Sequence, residues 1–328
     1  MRHLFIINPK AFFIRGQTNK ICQEIQSFFA AFPQVKYDIH ITRWKRDAVG
    51  FTHRYVSAAD RIVRVYAVGG MGTLFEVING VAGLPNVQVA CWPFGIDNTF
   101  LCYFGQDRIE RFRSLKNLVF SGVSTFDLIK CGNNYGICTG YMGIEAIASQ
   151  QGDSIIENVD FLPGWIIRTG SIYLALALYY SAKKETIQSY RVMIDGFSLR
   201  GTYRSILIAN EPFLSKGLAP AVDARPDDGI LDVYLIQSVP GFKMPPLIFD
   251  YVRGRYDKWP HYISHYQAKT VSIVTDQIMH ICIDGEHFYD TAVEYEVVPR
   301  AVDFVCPDDI NREAVRRNTS RGVPLESM

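Results

Sequence analysis

The chain has almost no excess of charge: 34 Lys and Arg stand against 33 Asp and Glu in 328 residues, a net of +1. That balance argues against a surface built to hold nucleic-acid phosphates, which takes a basic excess or stripe. A small anion in a local pocket remains compatible with it. Paired cysteine motifs are missing too. The seven cysteines (22, 91, 102, 131, 138, 282, 306) are scattered, odd in number and never spaced CxxC. Neither a disulfide framework nor a structural zinc site is expected, and a reducing cytoplasm fits best. No apolar run reaches the roughly 20 residues of a membrane span. The longest, Ser171–Ala182 (SIYLALALYYSA), follows Arg168 closely and reads as a buried helix. The opening MRHLFIINPK has too short an apolar run for a secretory signal, and no small-residue cleavage site follows. Internal repeats and low-complexity segments are also lacking.

What is present is a globular composition, 48% hydrophobic and 13% aromatic, at a length of about two domains. Residues 3–8 form an apolar run ending at Asn8-Pro9, as a buried strand and turn would. Ile21, Ile25, Phe28 and Phe29 repeat at helical spacing within Thr18–Phe32. Strands are expected at Tyr37–Thr42, Ile62–Val68 and Val87–Cys91, with helices at Asp47–Ala59 and Leu74–Val81. Such alternation predicts a parallel, doubly wound α/β sheet over residues 1–120. From Thr125 onward the texture changes to short alternating runs: 126–131, 190–194, 205–210, 231–236, 271–274, 279–283 and 294–298. These predict an antiparallel β-sandwich domain with Leu162–Lys183 as its main helical insertion. After Pro307 the sequence is polar, with Arg312, Arg316, Arg317 and Arg321, and reads as a short helix fading into a tail.

Several short motifs could carry chemistry. In VYAVGGMGTLFEVINGV (65–81) a buried strand enters a glycine turn and then a helix. Glycines allow close backbone approach and helix N-terminal amides favour phosphate, but the same turn also serves as plain punctuation. It matches neither a Walker loop nor GxGxxG. A second loop, Trp92–Phe100, follows the next strand. Two such loops at consecutive strand ends lie where open α/β sheets bind ligands. Asp227-Asp228-Gly229-Ile230-Leu231-Asp232 clusters hard oxygens suited to Ca²⁺ or Mg²⁺, although Asp-Gly also makes ordinary turns. Asp284-Gly285-Glu286 is a similar hairpin-like turn. His261 and His265 are four apart, but WPHYISHYQAK reads as loop and strand, which argues against a helix-mounted metal pair.

In order along the chain, Asn8-Pro9, Gly69–Thr73, Pro93–Thr99, Asp127, Asp227–Asp232 and Asp284–Glu286 resemble the motifs of the diacylglycerol kinase catalytic family. That family takes in bacterial diacylglycerol and related lipid kinases and eukaryotic sphingosine and ceramide kinases. The resemblance runs to about Pro299 and includes Thr42 with Ala48, Tyr141-Met142-Gly143, Gly170–Tyr173 and Asn210. It implies an α/β nucleotide domain over 1–124, a β-sandwich lipid-substrate domain over 125–300 and a cleft between them as active site. A tail over 301–328 could pack back on the first domain. It further implies ATP and Mg²⁺ as cofactors. Nucleotide contacts fall on Asn8, Thr42, Gly69, Gly70, Gly72, Thr73 and Asn98, and a magnesium-linked carboxylate network on Asp227, Asp228 and Asp232. Asp127 and Glu286 match carboxylates near the transferred phosphate, Glu286 as general base. Implied partners are a lipid with a free hydroxyl, a transient membrane surface on the cytoplasmic face and a second copy of the chain.

The sequence departs from that family at Met71, where the motif Gly-Gly-Asp-Gly-Thr has aspartate. A thioether neither binds Mg²⁺ usefully nor accepts a proton. Ile96, Asp97 and the glycine-free Lys10–Phe13 also depart. Three functions are open: an active lipid kinase, a weakened homologue that binds lipid or nucleotide as a sensor or scaffold, and a kinase of another hydroxyl such as NAD. The Asp-Asp-Gly-x-Leu-Asp loop favours the lipid branch over the third. Phe161–Tyr180 and Tyr251–Tyr266 are candidates for an apolar cleft, against the alternative of ordinary core.

Overall fold

A computed structural model describes residues 1–11, 16–95, 98–105, 108–158, 170–183, 187–215 and 217–307. The chain divides into two compact units at Phe126/Asp127 and again at Pro299/Arg300.

In the first unit, β1 (Arg2–Ile7), β2 (Lys36–Ile41), β3 (Val63–Gly69) and β4 (Val87–Pro93) alternate with α1 (Gln17–Ala30), α2 (Asp47–Ser57) and α3 (Met71–Val81). Short helices α4 (Thr99–Cys102), α5 (Ile109–Phe112) and α6 (Leu115–Phe120) follow. The strands pair in parallel in the order β4-β3-β1-β2. All seven residues of β3 are buried, as a central parallel strand covered on both faces requires. Phe5 stacks on Tyr66 with centroids 4.2 Å apart, and Phe29 of α1 meets Phe5 edge-on. Pairing at Ile7↔Ile41, Ile7↔Val68 and Gly69↔Pro93 aligns the carboxyl ends of all four strands. The segment expected to begin a tail at 301 is instead strand: Asp303 and Phe304 pair in parallel with Gln88 and Val89. The arginine-rich part beyond 307 lies outside the described residues.

The second unit is antiparallel. It contains β5 (Val123–Cys131), whose first residues belong to the first unit, then β6 (Asn134–Gly136), β7 (Thr139–Gly143), α7 (Ile144–Asn158) and α8 (Ser171–Ser181). Then come β8 (Gln188–Ile194), β9 (Phe197–Ala209), β10 (Leu231–Gln237), α9 (Met244–Tyr251), β11 (Ile263–Ala268), β12 (Thr270–Ile283) and β13 (Glu286–Val305). Two long strands change partners midway. β9 pairs with β8 through its first half and with β7 and β10 through its second. β12 pairs with β8 at Val271–Val274 and with β7 at Ile281–Ile283. A register break between Val274 and Met279 explains why the sequence suggests two strands there.

Helix α7 has no counterpart among the elements expected from the sequence, and it carries Gly152 in its interior. Gly152 serves packing there: a Cβ would stand 2.5 Å from the Tyr173 ring. Of the insertion expected at 162–183, residues 170–183 are described and hold α8; 162–169 are outside the described residues. Tyr251 is core, and Tyr256, Trp259 and Tyr262 pack against that core, so this stretch is mainly packing and not an open cleft.

Burial also leaves one acid in an unusual state. Glu145, at the start of α7, is enclosed, and burial pushes its carboxyl from 4.5 up to about 7. Its Oε2 is bonded by the Ser205 hydroxyl, which also contacts the Met142 carbonyl at 3.0 Å. Between pH 4.5 and about 7 the unfolded chain ionises this group while the folded chain keeps the proton. Stability therefore falls as pH rises through that window, by about 3 kcal/mol in total. Glu145→Gln is expected to remove this slope, making the variant more stable than wild type at about pH 8 but not at about pH 4. Urea denaturation at the two pH values measures it.

Candidate functional site

Within the first unit, the expected nucleotide residues gather at the carboxyl edge of the parallel sheet. Asn8 follows β1, donating its N–H to Val68 O at 3.2 Å, while its Oδ1 accepts the Lys10 N–H at 3.0 Å. Thr42 follows β2 and donates its N–H to Ile7 O at 2.9 Å. Gly69 ends β3, and its carbonyl accepts the N–H groups of Phe94 and Gly95, each at 3.0 Å. Asn98 precedes α4; its Nδ2 donates to Gly95 O at 3.3 Å and its Oδ1 faces the Cys91 thiol at 3.7 Å. Burial pushes that thiol up to about 12, so it stays protonated as a donor.

The two glycine loops touch without room for a side chain. A Cβ on Gly95 would lie 2.3 Å from Gly70 Cα, and one on Gly69 would lie 2.3 Å from Thr73 Oγ1. Thr73 Oγ1 is buried and has no hydrogen-bond partner among the described residues. Gly70 is the N-cap of α3 and offers no side-chain cap, leaving the helix's first amides at this edge for an anion. A polyphosphate chain fits such a cradle. The neighbouring helix is treated differently: Glu76 of α3 accepts the N–H groups of Arg46 (2.8 Å) and Ala48 (3.1 Å) at the start of α2. Nothing local in the sequence signals this cap, since 30 residues separate Glu76 from Arg46. Half-buried Met71 opens α3 where the resembling family has a carboxylate. The departures at Ile96 and Asp97, and those at Phe12 and Phe13, fall outside the described residues.

Within the second unit, Asp127 is 1% exposed on β5. Its Oδ2 accepts the Gly229 N–H at 2.7 Å, its own N–H donates to Pro226 O, and Asn210 Nδ2 donates to its carbonyl. The Asp227–Asp232 turn is thereby tied to Asp127. Asp228 Oδ1 accepts the Ile230 N–H at 3.0 Å. Loss of hydration, then the charges of Asp232, Asp127 and Asp227, push Asp228 up to about 6. Asp232 is fully buried and receives His265 Nε2 at 2.6 Å. Among the described residues, no three His, Cys, Asp or Glu side chains come together to hold a metal ion. Asp227, Asp228 and Asp232, the expected ligand set, do not gather into such a group there. Asp228 Oδ1 accepts a turn amide and Asp232 Oδ1 an imidazole, while Asp232 Oδ2 is buried without a hydrogen-bond partner among the described residues. His261 is exposed, and His265 lies on β11.

Glu286 opens β13, paired with Ile283 across a two-residue Asp284-Gly285 turn. Asp284 and Gly285 have φ of 48° and 87°, the signature of a type I′ hairpin that Asp-Gly favours. Buried Asp284 anchors the turn by accepting the N–H groups of Ile137 (2.6 Å), Cys138 (3.1 Å) and Thr139 (2.9 Å). Burial raises its carboxyl to about 6, with those three donors opposing the rise. Asp284 thus fixes where Glu286 stands.

The domain described as "Diacylglycerol kinase catalytic domain" matches residues 2–131, and "YegS C-terminal NAD kinase beta sandwich-like domain" matches 141–306. Proteins named "Putative lipid kinase" from Staphylococcus aureus strains JH9 and N315 are 25% identical over 247 residues, 75% of this chain and 78% of theirs. A crystal structure of a "putative diacylglycerol kinase" from Bacillus anthracis str. Sterne matches with TM-score 0.73 and 22% identity, over 94% of this chain and 98% of that one. A second one, of a diacylglycerol kinase from the same strain, gives 0.68 and 21% over the same shares.

The packed glycine loops make a testable contrast. Gly95→Ala should cost about 1–3 kcal/mol by forcing the two loops apart. Gly72 has open space around its Cβ position, so Gly72→Ala should leave stability unchanged or raise it by up to about 1 kcal/mol. Thermal melts of the two variants decide it.

Proposed function

The chain belongs to the diacylglycerol kinase catalytic family, completed by a YegS-type NAD kinase beta sandwich-like domain, and on that premise we propose that it transfers the γ-phosphate of ATP to a free lipid hydroxyl. The observation that carries this proposal is the anion cradle at one sheet edge: aligned strand ends, two glycine loops in contact and an uncapped α3. Asn8, Thr42, Gly69, Gly70, Gly72, Thr73 and Asn98 hold the nucleotide there. Glu286 takes the proton from the lipid hydroxyl as its oxygen bonds phosphorus and ADP departs. Asp127, fixed by Gly229, orients that hydroxyl. Magnesium enters with ATP as part of the substrate, and no resident metal is assigned.

A second reading has its own support. With methionine at the first position of α3, the carboxylate of the family motif is replaced there by a thioether. A weakened homologue that binds nucleotide or lipid as a sensor would have this arrangement.

The substrate's lipid character suits α8. Its eleven residues carry no charge, and Leu174, Ala177 and Leu178 pack against the core. Ile172, Ala175, Leu176 and Tyr179 form an outward stripe at i, i+3, i+4, i+7, with Tyr179 58% exposed. Lys183 caps the stripe, its ammonium 4.7 Å from the Tyr179 ring centroid. Apolar residues edged by aromatics and lysine favour a transient stay at the cytoplasmic membrane face. No described helix is long and apolar enough to cross a membrane.

Purified protein given Mg-ATP with diacylglycerol, ceramide or a sphingoid base should incorporate phosphate into one of them. Glu286→Ala should lower the rate about 10²–10⁴-fold. No turnover by wild type combined with a gain in Met71→Asp would overturn the active-kinase reading and leave the sensor. In vesicle sedimentation, Leu176→Glu with Tyr179→Glu should weaken binding to anionic bilayers without changing the melting temperature.

A further inference from the structure

Asp232 is the first unit of an unbroken run of side-chain contacts. Its Oδ1 takes His265 Nε2 at 2.6 Å and, more weakly, Gln267 Nε2 at 3.4 Å; its Oδ2 is buried without a partner. In the β10–β11 register Asp232 faces Gln267 and Tyr234 faces His265, so the imidazole reaches Asp232 diagonally along one face. The ring lies flat on Tyr234, centroids 4.5 Å apart at 11°. On its other side, Nδ1 meets the Tyr256 hydroxyl at 3.3 Å, and that hydroxyl donates to Asp223 Oδ2 at 2.5 Å. Within the same turn, three residues before Asp232, Gly229 N–H holds Asp127 at 2.7 Å.

A buried carboxylate needs a partner that offsets its lost hydration. The resembling family supplies magnesium to this carboxylate network; here Asp232 Oδ1 instead meets an imidazole, gripped by stacking and by a phenol backed by a second acid. We infer that His265 is a positioning residue that stands in for a metal ion, fixing Asp232, the Asp227–Asp232 turn and, through Gly229, Asp127. The orienting effect on catalysis rests on the lipid-kinase proposal. Metal independence of the turn does not.

The test uses the full chain in four states: wild type and His265→Ala, each with and without free imidazole. Melting temperatures are read with EDTA and with added Mg²⁺. Wild type should melt at the same temperature in both. His265→Ala should melt several degrees lower, and imidazole should recover part of the loss. In the lipid-phosphorylation assay the variant should lose about tenfold or more in kcat with KM for ATP nearly unchanged, again recovered by imidazole. A wild-type melting temperature that EDTA lowers and Mg²⁺ restores would overturn the inference. So would a variant whose kcat and imidazole response match wild type. If His265→Ala does not fold, His265→Gln, which keeps an amide donor, should melt between wild type and His265→Leu; equal melting of Gln and Leu variants would count against it. Wild type without lipid turnover would sink the kinase proposal, while the melting data still decide the role of His265.

Discussion

The second unit depends on carboxylates that are buried and then satisfied by peptide N–H groups from a distant stretch of chain. Asp284 binds three consecutive amides at 137–139, and Asp127 binds the amide of Gly229, 102 residues away. An amide has one direction and no rotamers, so a carboxylate held this way is placed as firmly as the backbone that holds it. Each bond also joins a strand to a turn that would otherwise be free to tilt. The turn residues that face solvent, Asp228 and Glu286, inherit their position from neighbours that do not. In this sense the acids with a structural task and the acids with a chemical task alternate along the same short motifs.

The first unit places its two glycine loops through main-chain contacts. Its loops are sewn to strand ends by main-chain bonds, such as Thr42 to Ile7 and Gly95 to Gly69. Contact between Gly70 and Gly95 keeps side chains out of the space where backbone must approach a ligand. Met71 is tolerated here because nothing in the stitching needs an acid at that position.

Much of this was legible in the residues. Apolar runs and period-3.6 patterns placed β1 to β4 and α1 to α3 within a few residues, because buried parallel strands such as VRVYAVG are apolar at nearly every residue, Arg64 excepted. The glycine loops and Asp-Gly turns were equally plain, since their backbone demands restrict residue type. Other features were hidden. Helix α7 breaks its own pattern at Gly152 for the sake of Tyr173. β12 is one strand with a slipped register, which no local pattern reveals. The acids of Asp227–Asp232 suggested a metal because their partners lie elsewhere: His265 is 33 residues from Asp232, and only the β10–β11 register brings them together.

Glu76 gives the nucleotide edge a form of discrimination. Two helices, α2 and α3, begin near the same sheet edge, and either could attract an anion through its leading amides. At α2 the seat is taken, since Glu76 already lies on the amides of Arg46 and Ala48. An incoming phosphate there would have to displace a carboxylate of like charge, whereas at α3 it meets amides that Gly70 leaves uncapped. One glutamate thus closes the wrong door and, being part of α3, is carried by the helix whose own door stays open.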